Sequence, residues 1–212
     1  MKNLMTVLLF LSVLPLFSQT KDTNAIALLD EVSAKTKACK SIRADFSYTM
    51  ENKQAKINEE KTGTLTLSGD KYCLRTAGQE VFCDGKLIWT YLKESNEVQI
   101  NDPDTKDDAL TPSKLLSSYT ANYKSRILKD RPAKEPNETA IELIPNTIKN
   151  FTKAILVVDN VKKQVKSFML FDKSGNTFTY QITKYQTDVP VTASEFTFDK
   201  TKFPGVEVND MR

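Results

Sequence analysis

The chain begins its regular structure with a helical period, changes to a period of two near residue 42, and keeps that period almost to its end. Ala25, Leu28, Leu29, Val32, Thr36 and Cys39 recur at helical spacing, with Asp30, Glu31, Lys35 and Lys37 largely opposite. This predicts an amphipathic helix over 24–39, capped by Thr23 or Asn24. Ile42, Ala44, Phe46, Tyr48 and Met50 then alternate with Arg43, Asp45, Ser47 and Thr49, the signature of a half-buried strand. Further strands are expected at 63–68, 71–76, 80–83, 87–92 and 97–101. Turns at Ser68-Gly69-Asp70, Ala77-Gly78-Gln79, Asp84-Gly85 and Glu94-Ser95-Asn96 separate them. A polar loop at 101–108 interrupts the series. Thr111 and Pro112 then open a second short helix, with Leu115, Leu116 and Tyr119 on one side. Strands resume at 123–128, 139–144, 153–158, 164–171 and 176–185, the last two joined by the Lys173-Ser174-Gly175-Asn176 turn.

So many short strands joined by hairpin turns form an antiparallel meander, which must curl or split. The expected fold is mainly β (α+β): an incomplete antiparallel barrel or strongly curved sheet, with short α-helices laid as a lid over its apolar side. The interior of such a sheet is either a packed core or a ligand cavity, and the pattern leaves both open. Period-two alternation puts Phe46, Tyr48 and Met50 on one face, and likewise Leu65 with Leu67, Tyr72 with Leu74, and Trp89 with Tyr91. If Ala77-Gly78-Gln79 is a three-residue loop, Thr76 faces Glu80. Phe82 then lies opposite Leu74 and joins the same interior, and Cys73 lies opposite Cys83. That pair is a disulfide candidate, the other reading being two buried thiols.

The first residues carry no part of this pattern. Lys2 precedes an apolar run from Leu4 to Phe17, broken only by Thr6, Ser12 and Pro15, and small Ser18 precedes polar Gln19. The run is shorter than the roughly 18 residues of a membrane span and reads as an export signal over 1–18, cleaved to leave one domain over 19–212. No cysteine stands near the cleavage point, so the mature chain is expected to be exported, periplasmic and not itself lipidated.

Charge and composition remove several classes of function. The net charge is +3, from 30 basic and 27 acidic residues mixed along the 212-residue chain, which is not the basic stripe of a nucleic-acid binder. Histidine is absent, so there is no Ser-His-Asp or Cys-His nucleophile and no His-ligated metal. Cys39, Cys73 and Cys83 are too few for a Cys₄ zinc site. Asp104, Asp107 and Asp108 lack the glycine and terminal glutamate of an EF-hand loop and read as a solvated loop. No catalytic residue, metal or cofactor is expected.

Three segments in order carry a resemblance. They are Asp84-Gly85-Lys86 with Trp89 and Tyr91, the Phe196-Thr197-Phe198 strand, and the ending Gly205-Val206 to Asp210-Met211-Arg212. With the helix that precedes Ser41-Ile42-Arg43-Ala44-Asp45-Phe46, they make the chain similar to the LolA family of outer-membrane lipoprotein carriers. The resemblance implies a half-barrel with a helical lid and a monomeric periplasmic protein that is not an enzyme. Such a protein takes acylated lipoproteins from an inner-membrane ABC transporter, shelters their acyl chains and passes them to an outer-membrane acceptor. It implies that Phe46, Tyr48, Met50, Leu65, Leu67, Tyr72, Leu74, Phe82, Trp89 and Tyr91 line the acyl cavity, and that Leu28, Leu29, Val32, Leu115, Leu116 and Tyr119 face it from the lid. The family's lid-latching arginine has no counterpart in Ser68-Gly69-Asp70, and Arg75 stands one strand further on. A periplasmic binder of another lipid or hydrophobic ligand, or an envelope sensor on the same fold, is the alternative.

Overall fold

The computed structural model describes residues 22–103, 123–129, 135–147 and 151–212. The expected signal segment and the expected helix bearing Leu115, Leu116 and Tyr119 lie outside these residues, as do Asp104, Asp107 and Asp108.

Helix α1 (Thr23–Ala38) starts one residue earlier than its apolar period suggests, because Asp22 is the cap. Its carboxylate accepts from the N–H of Asn24 (3.1 Å) and Ala25 (3.2 Å), satisfying donors that the first helical turn leaves free. Ala25, Leu29 and Val32 are fully buried, and Leu28 packs at the margin of the same cluster.

Six strands follow as a meander: β1 (Ile42–Asn52), β2 (Ile57–Ser68), β3 (Lys71–Thr76), β4 (Gln79–Cys83), β5 (Ile88–Leu92) and β6 (Glu97–Asn101). A second meander comprises β7 (Tyr123–Ile127), β8 (Glu138–Pro145), β9 (Phe151–Asp159), β10 (Gln164–Asp172) and β11 (Thr177–Thr187). The two halves join along β1 and β11, and the last strand, β12 (Glu207–Asp210), adds in parallel to β6. The result is one curved open sheet in the order β12-β6-β5-β4-β3-β2-β1-β11-β10-β9-β8-β7. This is the expected mainly-β incomplete barrel.

Residues opposite one another on paired strands share a face, so the register assigns every side chain to one of two sides. The inner side, towards α1, carries Ile42, Leu67, Tyr72, Cys83, Ile141, Leu143, Leu156, Val158 and Phe168, which form the main core with Leu29 and Val32. Two irregularities keep it apolar. Asp45 pairs with Lys184 but Phe46 pairs with Ile182, leaving Thr183 as an extra residue in β11. That bulge resets the alternation, so Tyr185 on one side of it and Ile182, Tyr180 and Phe178 on the other all face inward. Lys166 does the same in β10, bringing Val165 and Phe168 to one face.

The outer side has a smaller core of its own. After β11 the chain turns back over β3–β5 through short 3₁₀ segments, Ala193–Phe196 and Lys200–Lys202. Phe196 is buried against Cys73 and Phe82, with Trp89, Val191, Phe198 and Phe203 around them. Phe196-Thr197-Phe198 is therefore not the strand that the resemblance implied; it leaves a 3₁₀ turn and pins the strap to the sheet. Arg43 holds the strap by an ion pair with Glu195 (3.0 Å) and also donates to Thr66 (3.3 Å).

Candidate ligand-binding face

Burial on the inner side falls along each central strand. In β1, Ile42, Ala44 and Phe46 are buried, whereas Tyr48 and Met50 are only half covered. Leu170 of β10 and Phe178, Tyr180 and Ile182 of β11 are half-buried in the same way. Register brings these groups together, since Tyr48 faces Tyr180, Met50 faces Phe178, and Leu170 faces Phe178 from the other side. Ring centroids lie 4.9 Å apart for Tyr48 and Tyr180, 6.2 Å for Tyr48 and Phe178, 5.9 Å for Phe46 and Tyr180, and 6.4 Å for Phe168 and Tyr180. They form a continuous aromatic and aliphatic strip that leads from the packed core towards the β1–β2 and β10–β11 hairpin tips.

Its electrostatics suit apolar contact. Burial pushes the Tyr180 hydroxyl up to about 12, with the neighbouring Tyr48 adding to the effect. Burial also raises Tyr48, opposed by the charge of Lys61. Both rings therefore stay neutral well above neutral pH.

One backbone feature shapes the strip's boundary. A Cβ on Gly63 would lie 2.5 Å from Cζ of Phe46 and 2.7 Å from the carbonyl oxygen of Arg75. Only glycine lets the Phe46 ring lie across β2. The outer face has an open notch of about 500 Å³ close by, lined by Asp45, Ser47, Thr62, Thr64, Arg75 and Thr183 among others.

The ten residues expected on one interior divide between two faces. Phe46, Tyr48, Met50, Leu65, Leu67, Tyr72 and Leu74 face inward, with Leu67 and Tyr72 in the packed core. Phe82, Trp89 and Tyr91 face outward. The β3–β4 connection is the two-residue Ala77-Gly78, not a three-residue loop, so Cys73 faces Phe82 and Leu74 faces Val81. That one-residue difference turns the whole of β4 over. Phe82 then pairs with Trp89 and packs on Phe198 at 6.0 Å, while Tyr91 packs on Phe203 at 4.4 Å.

The same slip removes the disulfide. Cys83 faces Tyr72 on the inner side, Cys73 lies on the outer side, and both are free thiols. Burial pushes the Cys73 thiol up to about 11. Arg75 is also an outer-face residue, paired with Glu80 (3.3 Å) and stacked over Phe82 at 5.6 Å, so it does not reach α1. Helix α1 is held by more than the apolar contact of Ala25, Leu29 and Val32 with the core. Asp22 accepts from the N–H of Ile127 (3.0 Å), Lys35 donates to the Lys162 carbonyl (2.6 Å), and Glu31 pairs with Lys163. It is fastened at both ends across the β7–β10 part of the sheet.

The inward Phe178, Tyr180 and Ile182 of β11 escaped the sequence reading although they alternate without interruption with Thr177, Thr179 and Gln181. The bulge at Thr183 puts only Tyr185 out of phase with them.

No curated protein matches the chain significantly. Among solved structures, an uncharacterized conserved protein from Thermus thermophilus superposes with a TM-score of 0.56 at 13% identity, covering 88% of this chain and 99% of that one. A LolA superfamily protein from Nitrosomonas europaea aligns with a TM-score of 0.46 at 10% identity, over 83% of this chain and 98% of the other. The model of the outer membrane lipoprotein carrier protein LolA matches residues 37–199, from the end of α1 through the first outer-face turns. The chain belongs to the LolA family.

Proposed function

We propose that the chain is a periplasmic carrier that shelters the acyl chains of lipoproteins on the inner strip and passes them between membranes. Membership in the LolA family supports a role in binding or carrying a hydrophobic ligand. The observation that carries the finer reading is the strip itself, where Tyr48, Met50, Leu170, Phe178, Tyr180 and Ile182 remain half-buried beside a fully packed core. Burying a methylene is worth about 0.8 kcal/mol, so a chain of roughly sixteen carbons gains on the order of 10 kcal/mol by leaving water. A half-covered strip recovers part of that, enough to carry the cargo and not so much as to prevent its release. The proposed acyl contacts are Phe46, Tyr48, Met50, Leu65 and Leu74 from the β1–β3 side, together with Leu170, Phe178, Tyr180 and Ile182. The donor would be an inner-membrane ABC transporter and the acceptor an outer-membrane component. The protein's part is binding and release, with no catalytic step.

Trp89 lies under the outer strap and would not sense such a ligand. The test therefore uses a Phe178→Trp variant titrated with a triacylated lipopeptide and with the same peptide lacking its acyl groups. A blue shift and quenching pattern specific to the acylated form is expected, lost when Tyr180→Asp is added. Equal responses to the two peptides, or none to either, would overturn the reading.

A further inference from the structure

The geometry points to the exposed edge of β2 as a docking strand for the cargo's polypeptide, an inference that rests on the acyl reading of the adjacent strip. Strand β2 pairs with β1 along all but its last residue, from Ile57 to Leu67, but with β3 only from Gly63 to Ser68. Residues 57–62 thus have a sheet neighbour on one side, and no described strand on the other, and all of them are exposed.

The direction of their backbone groups follows from the β2–β3 turn. Gly69 has φ +59° and opens a two-residue turn, Gly69-Asp70, between Ser68 and Lys71. Glycine at the first central position marks a type II′ hairpin, whose flanking residues exchange both ladder hydrogen bonds. Alternate residues back from Ser68 therefore point their N–H and C=O towards β3: Thr66, Thr64 and then Thr62, Glu60 and Asn58. Beyond the end of β3, the groups of Asn58, Glu60 and Thr62 face solvent. The edge runs into the notch beside Thr62 and Arg75, which has room for a side chain of an added strand.

Its position gives the edge a partner. On the inner face Lys61 lies opposite Tyr48, and Glu59 opposite Met50, so the free edge is one strand away from the proposed acyl strip. A lipoprotein anchored on that strip must lead its polypeptide off at a rim. Here the rim offers main-chain donors and acceptors to an extended segment, the mode of strand addition. Main-chain pairing reads no side-chain sequence, which suits a carrier that must accept many cargoes. Glu59, Glu60 and Lys61 are the kind of charged edge residues that disfavour the alternative, association of two such edges into a larger sheet.

The experiment compares a diacylglyceryl-cysteine bearing a short peptide of glycine, serine and alanine with the same lipid as a bare cysteine amide. The peptide-bearing form should bind about tenfold tighter, a gain expected from a few net hydrogen bonds after ordering costs. N-methylation of alternate peptide nitrogens should abolish the gain. Saturation should slow amide exchange at Asn58, Glu60 and Thr62 and leave Ile57, Glu59 and Lys61 unchanged, because the latter already face β1. Glu60→Pro removes one outward donor at a position where an edge tolerates proline. It should lose the peptide gain and keep the affinity for the bare amide. Equal binding of the two lipids by the wild-type chain, or exchange protection without alternation, overturns the inference and leaves the acyl strip standing. If neither lipid binds, both proposals fall.

Discussion

Gly63→Ala is a small change with a large expected effect. The added Cβ would meet Cζ of Phe46 at 2.5 Å and the Arg75 carbonyl oxygen at 2.7 Å, against an ordinary contact of at least 3.4 Å. The ring must retreat by about 0.9 Å and the β2–β3 pair must open by about 0.7 Å at that point, distances that follow from those contacts. Phe46 is only 8% exposed, so its ring has little room to move. Overpacking of this kind costs about 1–3 kcal/mol, and the stiffer unfolded chain returns about 0.4–1 kcal/mol. The net loss should be about 1–2 kcal/mol, or a fall in Tm of about 2–8 °C for a chain of this size. Thermal unfolding followed by circular dichroism measures it. Phe46→Leu provides the internal check, since it removes the Cζ contact and leaves the backbone one. In that background the alanine should cost about half as much, a coupling within the range found for touching residues. An unchanged or raised Tm for Gly63→Ala, or a cycle with no coupling, would refute the account of how Phe46 is seated.

Alkaline unfolding should have a sharp onset. Burial pushes the hydroxyls of Tyr72, Tyr180 and Tyr185 up to about 12 in the folded chain. A raised folded value for an acid means that its stability contribution is complete below the unfolded value of about 10 and is lost as pH rises towards 12. Denaturant midpoints measured across that window should fall, and Tyr180→Phe should flatten the decline. At the acid end, the Asp22 carboxyl is held below its ordinary range, first by the N–H of Ile127 and then by those of Ala25 and Asn24. Its contribution is present above about pH 4 and lost as the group protonates. Asp22→Ala should cost about 0.5–2 kcal/mol by the loss of a helix cap, and α1 amides should exchange faster. Thiol titration of the denatured, non-reduced chain should find three free groups, and in the native chain Cys39 should react before the buried Cys73 and Cys83. A single free thiol in the denatured chain would contradict the β3–β4 register.

The sequence made the architecture legible because the alternation is long and the turns are explicit. It failed at single residues. Whether Ala77-Gly78 or Ala77-Gly78-Gln79 makes the β3–β4 turn is a choice between two ordinary loops, and propensity does not distinguish them. Yet it decides which face receives Phe82 and Cys83. The bulges at Thr183 and Lys166 are equally silent, because an extra residue in one strand exists only relative to its partner. The covered outer face was hidden for another reason. A strand facing two cores, as β3 and β4 do, carries apolar groups at successive positions and loses the contrast that alternation needs.

The seam between β1 and β11 also governs how the chain reaches this fold. Each meander is built from neighbours in sequence and can close its own hairpins quickly. The seam joins residues 42–51 to residues 177–187, and among the described residues no other strand pairing connects the two halves of the sheet. A chain emerging N-terminus first thus completes β1 with one edge bare and keeps it bare until almost everything else has been synthesised. Contacts of such long range dominate the folding time of β proteins. Over that interval an eleven-residue strand bearing Phe46, Tyr48 and Met50 is open to any other chain with a free edge. The face that is left half-covered in the folded protein is therefore also the one most in need of protection before folding is complete.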